Sequence, residues 1–215
     1  MKKIGLYFGS FNCIHNGHLS VAVASLEDPK ILLDEVWFIV SPQNPEKKVS
    51  LLCEEYHRLN MVKLAIESMG EFGKKMIASD IESAMPVPSY TIDTLRKIEL
   101  EKPRSNFYII VGSDAFAGIP HWKEGEHILK YYNIIVHMRP GSDENYLGKY
   151  AFSSNIISLS TQPQMEISST EVRKRAEAGK PIGHLVPTAV AEYLEKNCLF
   201  IGDENGAHRK VQAQG

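Results

Sequence analysis

Gly9-Ser10-Phe11-Asn12-Cys13-Ile14-His15-Asn16-Gly17-His18 is the stretch on which the reading of this chain turns. Ile4 to Phe8 precede it as an apolar run, with the length and the β-branched or aromatic content of a short buried strand. Leu19, Val21, Ala22, Val23, Ala24 and Leu26 follow it and read as a helix that stops before Pro29. The ten residues are therefore a strand-to-helix turn. In α/β sheets ligands bind at that end of the strands, where the next helix aims its free N–H groups outward.

The turn has the composition of an anion site. Gly9 and Gly17 let the backbone approach a ligand closely. Ser10 and Asn12 add short polar groups. His15 and His18 share a side if both lie in the first helical turn. An imidazole titrates near neutrality and gains a proton readily beside phosphate. Two of them can stabilise a phosphate whose charge shifts during reaction, and the helix dipole adds to the effect. A surface His pair, a merely structural turn, or a zinc site using His15, His18 and Cys13 are the competing readings. No second ligand cluster of suitable spacing follows, so no protein-held metal is expected.

The composition narrows the classes. A chain of 215 residues with 43% hydrophobic content suits one domain with a substantial core. The net charge is −2, without a block of like charges or a basic aromatic stripe, so no nucleic-acid partner is expected. No apolar run approaches a membrane span, and the first residues lack a signal peptide's apolar segment. Cys13, Cys53 and Cys198 are odd in number and scattered, and read as free thiols. A cytoplasmic protein without a membrane partner is the expectation.

Strands and helices alternate along the rest. Asp34 to Val40 reads as a second strand, and Ser41 to Lys48 as a stiff loop with two prolines. Leu59, Val62, Ile66 and Met69 mark an amphipathic helix ended by Gly70 and Gly73, on which Arg58 and Lys63 are expected to be solvated. Met76 to Ser79 is a third strand. Thr91 or Ser89 caps a helix with Ile92, Leu95 and Ile98 inward. Phe107 to Val111 is the clearest strand, and it runs into Gly112-Ser113-Asp114. Asp114 can hold a ribose hydroxyl or a Mg2+-bound water, or simply cap the next helix. Asn133 to His137 and Ile156 to Leu159 complete the strands, with a polar loop from 142 to 154 between them.

Ile167-Ser168-Ser169-Thr170-Glu171-Val172-Arg173 opens another helix through a Ser168/Glu171 capping box. Arg173 falls on the same side as Ser169 and Thr170. Hydroxyls, helix-end amides and a planar guanidinium would converge there on one oxyanion-rich group. A capped surface helix with a solvated Arg is the alternative. Pro187 starts the last helix. Residues 202–215 are polar and aperiodic and are expected to be a disordered tail behind a single domain of residues 1–201. The pattern is α/β with a mainly parallel sheet and helices on both faces.

His15-Asn16-Gly17-His18 matches the HxGH signature of the nucleotidyltransferase superfamily. Its surroundings resemble the GG/S-x-F-x-P-x-H-x-G-H-L frame of bacterial nicotinate-nucleotide adenylyltransferases, with Cys13 where proline is usual. Ser89-Tyr90-Thr91-Ile92-Asp93-Thr94-Leu95 and Ile167-Ser168-Ser169-Thr170-Glu171-Val172-Arg173 are similar to two further signatures of that family, and the likeness extends over residues 3 to 200.

The resemblance implies a Rossmann-like nucleotidyltransferase fold, with ATP and nicotinate mononucleotide as partners and Mg2+ carried mainly on the ATP phosphates. It implies ATP binding by Gly9, Ser10, Phe11, His15, His18, Gly112, Asp114, Ser169, Thr170 and Arg173, with His15, His18 and Arg173 catalytic. Asn44, Lys48, Tyr90, Thr91 and Trp122 become the mononucleotide side, with the indole stacked on the pyridine ring and the start of the helix at Thr91 taking the carboxylate. The absence of a GxGxxG fingerprint weakens a hydride-transfer reading. Another HxGH adenylyl- or cytidylyltransferase, such as one acting on phosphopantetheine, is the nearest rival, and a non-catalytic nucleotide-binding module the next. Nicotinate against nicotinamide preference and oligomeric state, a homo-oligomer included, stay open.

Overall fold

The apolar runs become strands that are covered on both faces. In the computed structural model, which describes residues 1–43, 52–138, 153–160 and 167–200, the strands are β1 (Lys2–Gly9), β2 (Glu35–Val40), β3 (Met76–Ser79), β4 (Ser105–Gly112), β5 (Asn133–Met138) and β6 (Ile156–Ser160). They form one sheet in the order β3-β2-β1-β4-β5-β6. Every neighbouring pair is parallel, with Leu6 opposite Trp37 on one side of β1 and opposite Ile109 on the other. The α/β expectation holds, and the strand order is that of a Rossmann sheet.

Alternation along each strand divides the core into two layers. Phe38, Val40, Ile110 and Ile135 face one layer, where α1 (Asn16–Glu27), α2 (Glu55–Glu67), α6 (Ser169–Glu177) and α7 (Thr188–Lys196) pack. Ile4, Leu6, Ile109 and Ile134 face the other, beneath α3 (Thr91–Glu101), α4 (Ser113–Gly118) and α5 (Gly125–Tyr131). Fully burying each such side chain contributes roughly 1.5–3 kcal/mol. Among the described residues no helix is long and apolar enough to cross a membrane.

Strand order places the ligand end. β1 and β4 are neighbours, and the chain winds outward from them in opposite directions. Their C-terminal ends, Gly9 and Gly112, flank the switch point where open α/β sheets leave a crevice.

Three local expectations are corrected. α2 ends at Glu67 with Ser68 as its C-cap, so Met69 lies beyond it, and Gly70 takes a left-handed φ of +55°. Arg58 is not solvated: its face of α2, with His57, Met61, Val62, Ala65 and Ile66, is the buried one. Its partners are backbone carbonyls from loops, which an apolar-stripe pattern does not register. Lys63 is exposed, as expected. The N-cap of α3 is Tyr90, without a side-chain cap, because the Ser89 hydroxyl is drawn to Glu82 instead. The expected cap does form at α6, where Ser168 Oγ accepts from the Glu171 N–H at 3.1 Å.

His137, in register opposite Gly112 of β4, is a buried polar group of β5. It is 2% exposed, and its Nε2 lies 2.8 Å from Ser25 Oγ. Burial pushes its imidazole down to about 4, so it is neutral at physiological pH. Asn44 and Lys48, most of the polar loop from 142 to 154 and the expected tail lie outside the described residues.

Candidate functional site

The β1–α1 turn holds its two imidazoles by their own backbone. His15 is the N-cap of α1 and His18 the third residue of its first turn. The His15 N–H donates to His18 Nδ1 at 3.3 Å, and the His15 side chain accepts from the His18 N–H. This is a capping box built from histidines. The rings stack with centroids 3.7 Å apart and planes 27° apart. Gly17 makes the stack possible: a Cβ there would stand 3.1 Å from His15 Nδ1.

Phe11 supports the pair from below. Its φ is +44°, in the left-handed region, and its ring is 2% exposed. It meets His18 edge-on at 5.2 Å and packs on Tyr7 and Phe38. A Cβ on Gly9 would press on that ring at 2.9 Å, so glycine is required where β1 passes beneath it.

α6 closes onto the same turn. The Arg173 guanidinium donates to the Asn12 carbonyl through Nη1 and to Thr170 Oγ1 at 3.2 Å through Nη2. Ser169 donates its hydroxyl to the Cys13 carbonyl at 2.9 Å, so that hydroxyl ties the helix to the turn. Cys13 is fully buried, and desolvation pushes its thiol up to about 12, which disfavours the thiolate a metal ligand needs. Among the described residues no group of three or more His, Cys, Asp or Glu is placed to hold a metal ion.

Arg58 underlies this half of the site. It is 1% exposed, and it donates from Nη1 to the Ser10 and Ser41 carbonyls at 2.7 Å each. Nη2 donates to Pro42 O at 3.1 Å and Nε to Cys53 O at 2.9 Å. The Cys53 N–H in turn donates to Asn12 Oδ1 at 3.1 Å. One buried cation thus joins the β1–α1 turn to the loop after β2. Burial lowers its pKa from the usual value. The one sequence signal for it is a charged residue at a position that shares a face with Met61, Val62 and Ala65.

The opposite wall is α3 and the loop after α4. Tyr90 and Thr91 begin α3, whose first N–H groups have no partner within the helix. The loop holding Trp122 is fastened to α3 twice. Arg96 grips Glu124 with two hydrogen bonds of 2.8 and 2.6 Å, and Lys123 contacts both Asp93 oxygens at 3.0 and 2.8 Å. The Lys123 ammonium also lies 5.0 Å from the centre of the Tyr90 ring.

These walls enclose one cavity of about 750 Å³ at the switch point. Gly9, Ser10, Phe11, His15 and His18 line it from β1 and α1, and Ser169, Thr170 and Arg173 from α6. Gly112 and Asp114 line it from the end of β4, and Tyr90, Thr91 and Trp122 from the far side. Every described residue that the sequence assigned to ATP or the mononucleotide borders this space, while Gly17 of the turn does not. Asn12, a polar group of the anion-binding turn in the sequence, borders it too, and Ser41, Glu82, Ser89 and Lys123 also border it and were missed. A cavity of this size, with helix N-termini, imidazoles and a guanidinium at one end and aromatic rings at the other, suits a nucleotide.

Comparison with known proteins points the same way. The cytidylyltransferase-like family model matches residues 6–175. A probable nicotinate-nucleotide adenylyltransferase of Cytophaga hutchinsonii is 41% identical over 192 residues, covering 89% of this chain and 95% of its own. A protein of the same description from Bacteroides thetaiotaomicron is 38% identical over 194 residues, covering 90% and 91%. Among solved structures, Plasmodium falciparum nicotinic acid mononucleotide adenylyltransferase complexed with NaAD superposes with a TM-score of 0.78 at 26% identity, covering 93% of this chain and 98% of that one.

Proposed function

The chain belongs to the nicotinate-nucleotide adenylyltransferases of the cytidylyltransferase-like family, and we propose that it joins nicotinate mononucleotide to ATP, giving nicotinate adenine dinucleotide and pyrophosphate. The observation that carries this reading is the meeting of the stacked His15 and His18 with Arg173 on one cavity whose far wall is the start of α3 and Trp122.

The mononucleotide's phosphate oxygen attacks the α-phosphorus of ATP in line. The bond to the β-phosphate oxygen breaks, and pyrophosphate leaves with the electron pair. Catalysis then rests on positioning and on charge stabilisation. His15 and His18 bind the ATP phosphates, and His18 stabilises the charge that develops in transfer. The Arg173 fork, the Thr170 hydroxyl and the first amides of α6 hold the β- and γ-phosphates as they depart. Gly9, Ser10 and Phe11 offer backbone, and Gly112 and Asp114 face the adenosine.

Mg2+ carried on the ATP phosphates would supply charge neutralisation there, with the Asp114 carboxylate bordering the same cavity. The donor set fits an ion held in this way. Asp114 and Glu82 are the carboxylates bordering the described cavity, and both Glu82 oxygens already accept hydroxyls.

On the pyridine side, Trp122 stacks on the ring, with offset stacking worth roughly 0.5–1.5 kcal/mol. The carboxylate is received by the amides that open α3 at Tyr90 and Thr91. Asn44 and Lys48 are assigned to the mononucleotide's ribose phosphate. This wall favours a carboxylated pyridine over a phosphopantetheine chain, which has no flat ring to stack.

The deciding assay supplies ATP and Mg2+ with nicotinate mononucleotide or nicotinamide mononucleotide and follows pyrophosphate release for each. Release with the nicotinate form and little with the nicotinamide form is expected. Release with neither would overturn the assignment.

A further inference from the structure

Glu82 is a buried carboxylate that the chemistry above leaves without a task. It lies in the turn after β3 and is 1% exposed, yet it borders the cavity. Ser89 donates its hydroxyl to Oε2 at 2.6 Å, and Thr94 donates its hydroxyl to Oε1 at 2.7 Å. Those two residues bracket Tyr90–Asp93, the N-cap and the first three residues of α3. Each hydroxyl to a carboxylate is a strong hydrogen bond, and a buried carboxylate stripped of donors is costly. The turn is therefore held at both ends by one side chain from a different element.

The rest of that turn lacks such a hold. Tyr90 gives no side-chain cap. Ser89 N–H reaches Gln43 O at 3.3 Å, a long contact. The Lys123–Asp93 pair is solvent-exposed, and exposed pairs contribute little.

We infer that Glu82 is the positioning residue for the pyridine-acid subsite, fixing the amides of the first turn of α3 where they meet the substrate's carboxylate. This rests on the function proposed above. It sets Glu82 apart from the phosphate end, where Arg58 does the equivalent work for the β1–α1 turn. Removing the Glu82 anchor leaves His15, His18 and Arg173 in place and loosens the far wall alone.

The test compares wild type with Glu82→Gln and Ser89→Ala in steady-state assays, varying each substrate in turn. Gln keeps the shape and one acceptor but can no longer accept both hydroxyls. For Glu82→Gln the KM for nicotinate mononucleotide rises about tenfold while the KM for ATP stays within about twofold. Ser89→Ala, which removes one anchor, shifts the same KM in the same direction by about threefold. Equal rises in both KM values, or an unchanged KM for nicotinate mononucleotide, would overturn the role of Glu82. If Glu82→Gln does not fold, Ser89→Ala decides by the same criterion. A wild-type enzyme that releases no pyrophosphate would instead overturn the function on which the inference stands, so the two failures are distinct.

Discussion

Arg173 and Asn12 stand 161 residues apart in the chain, and a guanidinium N–H of the first is donated to the main-chain carbonyl of the second. The contact brings the second signature onto the first and leaves the Arg173 side chain bordering the cavity. Arg173→Ala therefore raises the KM for ATP by about tenfold or more, while the affinity for nicotinate mononucleotide changes little. Arg173→Lys does not restore it, since an ammonium lacks the planar fork. Isothermal titration with each nucleotide checks this, and a loss confined to the pyridine nucleotide would contradict the assignment.

His18→Ala lowers kcat by about a hundredfold or more, because the group opposite the developing phosphate charge is gone. The fold survives, since the ring is only half-buried and the α1 backbone keeps its helical bonds. Thermal melting separates the two effects. Near wild-type turnover in this variant would remove His18 from the mechanism.

Arg58→Met strips four backbone carbonyls of their donor, those of Ser10, Ser41, Pro42 and Cys53. Leaving buried acceptors unsatisfied costs about 1–3 kcal/mol for each group that cannot reach water. A loss of at least about 3 kcal/mol in urea unfolding is expected. Arg58→Lys recovers part of it through charge but cannot span all four carbonyls. An unchanged unfolding midpoint for Arg58→Met would show that the contacts do not hold the two loops.

His137 gives a pH dependence of stability. Its folded pKa lies at about 4, below the ordinary value of 6.5 that the unfolded chain restores. Above 6.5 both states are neutral and nothing is lost. As pH falls from 6.5 towards 4, the unfolded state takes up a proton that the folded state refuses, so stability drops, in total by on the order of 3 kcal/mol. His137→Gln flattens that part of the curve. Equal slopes for the two proteins between pH 6.5 and 4 would contradict this origin.

Much of this was readable in advance, for physical reasons that differ between residues. β1, β2, β4 and β5 are apolar runs buried on both faces, so composition alone marks them. Ser168 caps α6 through a partner three residues away, which a local pattern can register. Arg58 and Ser89 were misread for the opposite reason. Arg58 is satisfied by carbonyls 5 to 48 residues away, and Ser89 by a carboxylate 7 residues back in a different element. The shared face with Met61 and Val62 hints that Arg58 is buried, but the groups that satisfy it and the carboxylate that engages Ser89 lie outside their immediate neighbours. Glu82 was overlooked because a lone acidic residue after a strand looks like surface until its two donors are seen together.

One wall of the cavity joins the turn at 9–18 to the helix start at 167–173, whereas Tyr90, Thr91 and Trp122 come from the middle of the chain. During synthesis the ribosome releases the middle long before Arg173. A polypeptide halted before Ile167 therefore lacks that helix wall and, with it, Val172, Val190 and Leu194 of one core layer.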